Sequence, residues 1–155
     1  MQPIPYLFFQ GQAQEAIRAY ARIFGSPEPE VMLASETSEA MPGAEPTDVM
    51  HSALQVGSGK IYASDDRGAD AMAGTRICVV LPDAAEGRRV FDALAEGGTV
   101  ELAFTPTFWS PGFGQLTDRW GTRWFIDTEA DGAASQHMPE AASMAPPDGQ
   151  GGTVA

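Results

Sequence analysis

Thiol chemistry is almost absent from this chain. Cys78 is its one cysteine, so no disulfide can form within it, and a reducing compartment is the expectation. Imidazole is equally scarce, with only His51 and His137. Positive charge is short as well: 9 Lys and Arg stand against 21 Asp and Glu, for a net charge of −12. Nucleic-acid binding depends on Lys and Arg neutralising phosphates, and no basic stripe is found, so neither nucleic acid nor a membrane is expected as a partner. No apolar run approaches the roughly 20 residues of a membrane helix. The start, Met1-Gln2-Pro3-Ile4-Pro5, lacks the basic and apolar regions of a secretory signal. A cytoplasmic location is the expectation.

What remains is a chain able to bury a core. It has 155 residues, 43% of them hydrophobic, enough for one domain or two small fused modules. At this length folding buries roughly two-thirds of the unfolded surface.

The patterning supplies the elements. Residues 5–9 (Pro5-Tyr6-Leu7-Phe8-Phe9) predict a strand. Ala13, Ala16, Ile17, Tyr20, Ile23 and Phe24 follow at helical spacing, and Gly25 stops the helix. A short strand is expected over Val31–Ala34, then an acidic loop over 35–48. Residues 49–56, the turn Gly57-Ser58-Gly59 and residues 60–65 predict a hairpin. After a small-residue linker (66–74) comes a strand over 76–81. A helix then opens at Asp83 and Glu86 in the manner of a capping box and ends at Gly97-Gly98. Strands over 100–104, 113–117 and 123–128 complete the pattern.

The order strand, helix, three strands occurs twice. The fold class is therefore α+β. The expected organisation is a first module over 1–70, a second over 71–128, and a tail over 129–155. That tail has no Lys or Arg, several Pro and Gly, and the character of a disordered end.

Several stretches carry a family resemblance. They are Tyr6-Leu7-Phe8-Phe9 with Ile23-Phe24-Gly25, then Val49-Met50-His51-Ser52-Ala53 through Tyr62-Ala63-Ser64-Asp65. The most specific is Thr107-Phe108-Trp109-Ser110-Pro111-Gly112-Phe113-Gly114, followed by Leu116-Thr117-Asp118, Gly121 and Trp124. Over about residues 3–128 the chain resembles the PhnB-like branch of the vicinal-oxygen-chelate superfamily, which includes glyoxalases, bleomycin-resistance proteins and dioxygenases. The resemblance implies two βαβββ modules whose curved mixed sheets enclose a pocket. It also implies a homodimer in which modules of two chains often complete each site. Members have been labelled ubiquinone-pathway methyltransferases, but no strand, Gly-rich loop and helix with a ribose-binding acid is visible here.

Metal-using relatives place four ligands, mostly His and Glu, on the first and fourth strands of each module. Those positions fall near Tyr6, Ser64, Arg76 and Phe125, none of them a dependable ligand. His137 lies in the tail, so His51 alone could serve from the core, whereas a zinc or nickel site wants three or four N, S or O donors. No metal and no other cofactor are expected.

Strand alternation puts His51, Ala53 and Gln55 on one face, looking into the cavity. His51 is either a hydrogen-bonded part of the wall or a substrate contact or general base, the one candidate for catalysis. Tyr6, Phe8, Tyr62, Ser64, Trp109, Phe113 and Phe125 either line the cavity or belong to the core. As a lining they favour a planar or apolar ligand. Arg76 pairs either with an anionic ligand group or with Asp65, Asp66 or Asp127. Cys78 is expected buried and inert, and Trp124 under the helices. One core His cannot furnish a Ser-His-Asp triad.

Three functions follow. The first is a metal-free protein binding a small aromatic or anionic molecule. The alternatives are a metal-dependent lyase, isomerase or dioxygenase of the same fold, and a structural or regulatory dimer with a vestigial pocket. Fold alone does not choose among them.

Overall fold

A computed structural model describes residues 1–38 and 42–129. The expectations for His137 and for the tail beyond residue 129 lie outside the described residues. The chain runs β1 (Tyr6–Phe9), α1 (Ala13–Phe24), β2 (Glu30–Leu33), β3 (Val49–Val56), β4 (Gly59–Asp65), β5 (Ile77–Leu81), α2 (Ala84–Ala95), β6 (Thr99–Thr105), β7 (Phe113–Thr117) and β8 (Arg123–Thr128). Two four-stranded mixed sheets result, ordered β1-β4-β3-β2 and β5-β8-β7-β6. In each, the module's first strand runs parallel to its last, and the other pairs are antiparallel. This is the doubled βαβββ arrangement that the resemblance implies.

The first helix forms where apolar residues repeat at three and four positions. It buries Ala13, Ala16, Ile17 and Tyr20 against β3 and β4. Its end is a Schellman closure. Gly25 takes φ +64, its N–H donates to Arg22 O, and Ser26 N–H donates to Ala21 O at 2.8 Å. Its start is held from the far end of the module. Asp65, last residue of β4, accepts from Gly11 N and Ala13 N through one oxygen and from Val49 N through the other.

Most strands start or end one residue away from the expectation, and two local features differ in kind. Ala34 leaves the ladder to begin a 3-10 turn over Ala34–Glu36, just after a register shift at Met32/Leu33. At α2, Asp83 accepts from Glu86 N at 2.8 Å, a cap worth about 1 kcal/mol. The reciprocal half of the box is missing, because the Glu86 carboxylate turns to Arg89 instead.

The two modules join through their helix-covered faces. The helices touch each other, and one buried cluster runs from Leu7, Ile17 and Tyr20 through Phe91 and Leu94 to Trp124 and Ile126. Tyr20 meets Trp120 and Trp124 edge-on at 5.4 and 5.2 Å, and Phe24 lies 5.5 Å from Trp124. Trp124 thus lies fully buried under the helices, as alternation along β8 requires.

Gly112 and Gly114 have a packing reason. A Cβ on Gly112 would stand 2.3 Å from Phe104 Cζ, and one on Gly114 would stand 2.5 Å from Phe91 Cε2. Only glycine lets those two rings close on β7. No helix among the described residues is long and apolar enough to cross a membrane.

Candidate functional site

With their helix-covered faces joined, both sheets turn their opposite faces outward. Register puts the candidate residues on those faces in two groups. On the first sheet, Tyr6 lies opposite Tyr62, Phe8 opposite Ser64, and His51 opposite Met32. Tyr62 in turn lies opposite Ala53. The Tyr6 ring stacks on Phe8 at 5.1 Å and meets Tyr62 edge-on at 6.1 Å. His51, half-buried, shares a hydrogen bond of 3.2 Å between its Nδ1 and the Tyr6 hydroxyl, and its ring meets Tyr62 at 5.0 Å. Either member can donate, according to the imidazole tautomer. Gln55 sits at the exposed end of the same face, its amide donating to Gly57 O.

On the second sheet a line of rings crosses the outward face. Phe108 meets Trp109 at 4.6 Å, Trp109 meets Phe113 at 5.5 Å, and Phe113 meets Phe125 at 5.4 Å. The line ends at Arg76, whose guanidinium carbon stands 5.2 Å over the Phe125 ring. The loop carrying Phe108 and Trp109 is fastened at its base. Thr107 N–H donates to Ser110 O, and the buried Ser110 hydroxyl bonds Gly112 O and Thr128 O. The rings themselves stay outside, Phe108 at 96% exposure and Trp109 at 50%.

The ten candidates therefore fall on the two outward faces as two separate groups, with Ser64 buried within the first. Tyr6, Phe8, His51, Gln55, Tyr62 and Ser64 form one. Arg76, Trp109, Phe113 and Phe125 form the other. Among the described residues no ring contact joins the two sets within the chain.

Two expectations are corrected. Arg76 pairs with none of Asp65, Asp66 or Asp127; its guanidinium meets Glu101 on β6. Cys78 is not buried but exposed on the second sheet's outward face, opposite Phe125 in the register. Partial burial, and after it the nearby Asp127 charge, push its thiol pKa up, which keeps it poorly nucleophilic.

Sequence reading also missed Arg123 and Glu101. Arg123 shares a face with Phe125 by simple alternation and could have been found. Glu101 could not, because β6 slips register between Val100 and Leu102 and again before Thr105. Alternation does not survive such bulges.

The four positions near which the resemblance implies metal ligands hold a phenol (Tyr6), a hydroxyl (Ser64), a guanidinium (Arg76) and a hydrocarbon ring (Phe125). Such a set does not fit a divalent ion, since a guanidinium repels one and a phenyl ring offers no lone pair. Among the described residues no three His, Cys, Asp or Glu side chains cluster closely enough to hold a metal.

Comparison with known proteins adds three findings and a family. The model of a family described as 3-demethylubiquinone-9 3-methyltransferase matches residues 2–127. Protein YjdN of Escherichia coli (strain K12) is 30% identical over 138 residues, covering 79% of this chain and 92% of that protein. The crystal structure of protein PA1353 from Pseudomonas aeruginosa superposes with a TM-score of 0.75 at 36% identity, over 83% of this chain and 98% of that one. A PhnB protein from Bacillus cereus superposes with a TM-score of 0.68 at 23% identity, over 83% and 100% of the two chains.

Proposed function

This chain belongs to the family described as 3-demethylubiquinone-9 3-methyltransferase, in the PhnB-like branch of the vicinal-oxygen-chelate superfamily, and from that premise we propose that it is a metal-free binder of a small planar molecule. Its pocket forms between two copies of the chain. The first sheet of one copy faces the second sheet of the other, and a two-fold axis makes two such pockets.

One observation carries this reading. In a single chain Tyr6, Phe8 and Trp109 stand 41%, 47% and 50% exposed on faces that point away from each other. Apolar rings gathered on outward faces mark a surface that something covers. A second copy brings the half-walls opposite each other and gives a planar ligand a ring on either side. The donor set supports binding without a metal. The turn between β1 and α1 is Gln10-Gly11-Gln12, with no glycine-rich run to cradle a methyl-donor nucleotide, so methyl transfer forms no part of the reading. The cytoplasm is the proposed location, on the single unpaired cysteine.

Mixing tests the shared pocket. Tyr6→Ala removes one half-wall and Phe125→Ala the other. Co-refolded, the two variants form mixed dimers with one intact pocket each, so a ligand that stabilises wild type against heat stabilises the mixture and neither variant alone. A mixture as unresponsive as its components, or a chain that sediments as a monomer at micromolar concentration, overturns the shared pocket. Elemental analysis tests the metal. Stoichiometric zinc, nickel, manganese or iron in fresh protein, lost in His51→Ala, overturns metal-free binding.

A further inference from the structure

The second half-wall ends in a concentration of positive charge that the aromatic surface does not explain. At the edge of the sheet away from Phe108 and Trp109, the starts of β5 and β8 converge with the end of β7 and with β6. Arg76 and Arg123 stand there with Thr117 and Glu101. Glu101 is the only anion of the group. One of its oxygens accepts from the Thr117 hydroxyl at 2.7 Å. The other meets the Arg76 guanidinium and lies 3.9 Å from Arg123 Nη2.

That leaves an imbalance. Two guanidinium charges face one carboxylate, in a chain whose net charge is −12. Arg76 is largely sheltered, with 13% of its side chain exposed, and Arg123 is about one-third exposed. Arg76 spends its fork on Glu101 and, at 3.5 Å, on Leu116 O. Arg123 lies too far from Glu101 to hydrogen-bond and donates no side-chain hydrogen bond among the described residues. Beside it an open depression of about 310 Å³ is lined by Gly74, Thr75, Arg76, Arg123 and Phe125.

We propose that this depression binds the oxyanion of the ligand, a carboxylate or phosphoryl group, with Arg123 as its principal donor and Arg76 as second. The planar part of the same molecule lies along Phe125 toward Phe113. A guanidinium fork matches the paired oxygens of such a group, and the match is strongest where water is partly excluded. Glu101 sets the strength. It holds Arg76 in place and opposes a second anion, so the site takes a singly charged group better than a multiply charged one. The inference rests on the second sheet's face being a pocket wall, and it names the class of molecule that wall selects: a small aromatic acid.

Isothermal titration and thermal shift with benzoate, phenyl phosphate, inorganic phosphate and neutral benzamide test it. Benzoate is expected to bind at least about tenfold more tightly than benzamide, the loss that follows when a charge-assisted pair is removed. Arg123→Met abolishes that preference, and Arg123→Lys, which keeps the charge but not the fork, retains only part of it. Glu101→Gln strengthens benzoate binding several-fold, a sign opposite to that of a merely structural residue. Inorganic phosphate without a ring binds weakly, and phenyl phosphate falls below benzoate. Equal binding of benzoate and benzamide, or an Arg123→Met protein that keeps the preference, overturns the proposal. A failed mixing experiment with the benzoate preference intact rejects the shared pocket and leaves the oxyanion site standing.

Discussion

The Tyr20 hydroxyl lies 2.6 Å from Asp118 Oδ2, and this bond ties the first module's helix to the turn between β7 and β8. Asp118 is a junction. Its Oδ2 also accepts from Trp124 Nε1 at 2.8 Å, and its Oδ1 accepts from Trp120 N and Thr122 N at 3.0 Å each. The single phenolic proton goes to the carboxylate, with Thr122 Oγ1 at 2.9 Å on the phenol's other side. Burial, then the Asp118 charge, raise the Tyr20 pKa well above the ordinary phenol range. Burial raises that of Asp118 against four hydrogen bonds that lower it.

Cutting this junction should loosen the seam between modules. Tyr20→Phe removes one charge-assisted hydrogen bond and is expected to cost about 2 kcal/mol. Asp118→Asn is expected to cost about 3 kcal/mol, because its amide would point hydrogens at donors that cannot turn away. Urea denaturation of the two variants against wild type gives both values and their order.

The acid side of the stability curve should belong in part to Asp48. Its buried carboxylate takes two hydrogen bonds from Arg67, at 2.9 and 2.6 Å, and these hold its pKa below the ordinary carboxylate value. A lowered folded-state pKa means stability that is fully present above the unfolded value and lost as pH falls through the folded one. Asp118 works in the opposite sense: with its folded pKa raised, its contribution favours the folded state at low pH and is lost as pH rises through that value. Comparing wild type with Arg67→Met cancels Asp118. The stability difference between them should be largest at neutral pH and close as pH falls from the ordinary aspartate value, about 3.9, through the lowered folded one.

Gly114→Ala should be costly although the change is one methyl group. The new Cβ would stand 2.5 Å from Phe91 Cε2 and 3.0 Å from the Phe104 backbone. Overpacking of this kind costs about 1–3 kcal/mol. Phe91→Leu added to Gly114→Ala should recover part of the loss, and a double-mutant cycle measures the coupling.

Cys78 offers a direct view of the second sheet's outward face. Its raised pKa predicts slow alkylation at neutral pH and faster reaction as pH rises past the ordinary thiol value. In the shared-pocket arrangement the reaction also slows as protein concentration rises and a second copy covers the face. Iodoacetamide labelling followed by mass spectrometry at two concentrations checks both.

Much of the fold was legible because its signals were local. The α1 bounds follow from apolar spacing and Gly25, and the β3–β4 hairpin from alternation around Gly57. The doubling was visible as element order alone. The site was less legible, because its meaning lies between elements. Alternation put His51 and Gln55 on the face opposite the buried Ser52 and Leu54, but no pattern in one strand says that two such faces turn away from each other. That depends on Tyr20 reaching Asp118, a contact 98 residues apart. Likewise nothing local told that Arg76 would find Glu101 across a bulged edge strand rather than a nearer aspartate.

Each module draws on the other for its interior. Tyr20 and Phe24 are finished by Trp120 and Trp124, and Arg89 of α2 donates to Ile23 O at the end of α1. The halves repeat one order of elements but share one buried cluster. Cleavage within the 66–74 connection should therefore yield two fragments that are each unstable in isolation yet reassemble when mixed. What the repeat preserves is a plan of construction, while cohesion has passed to the pair.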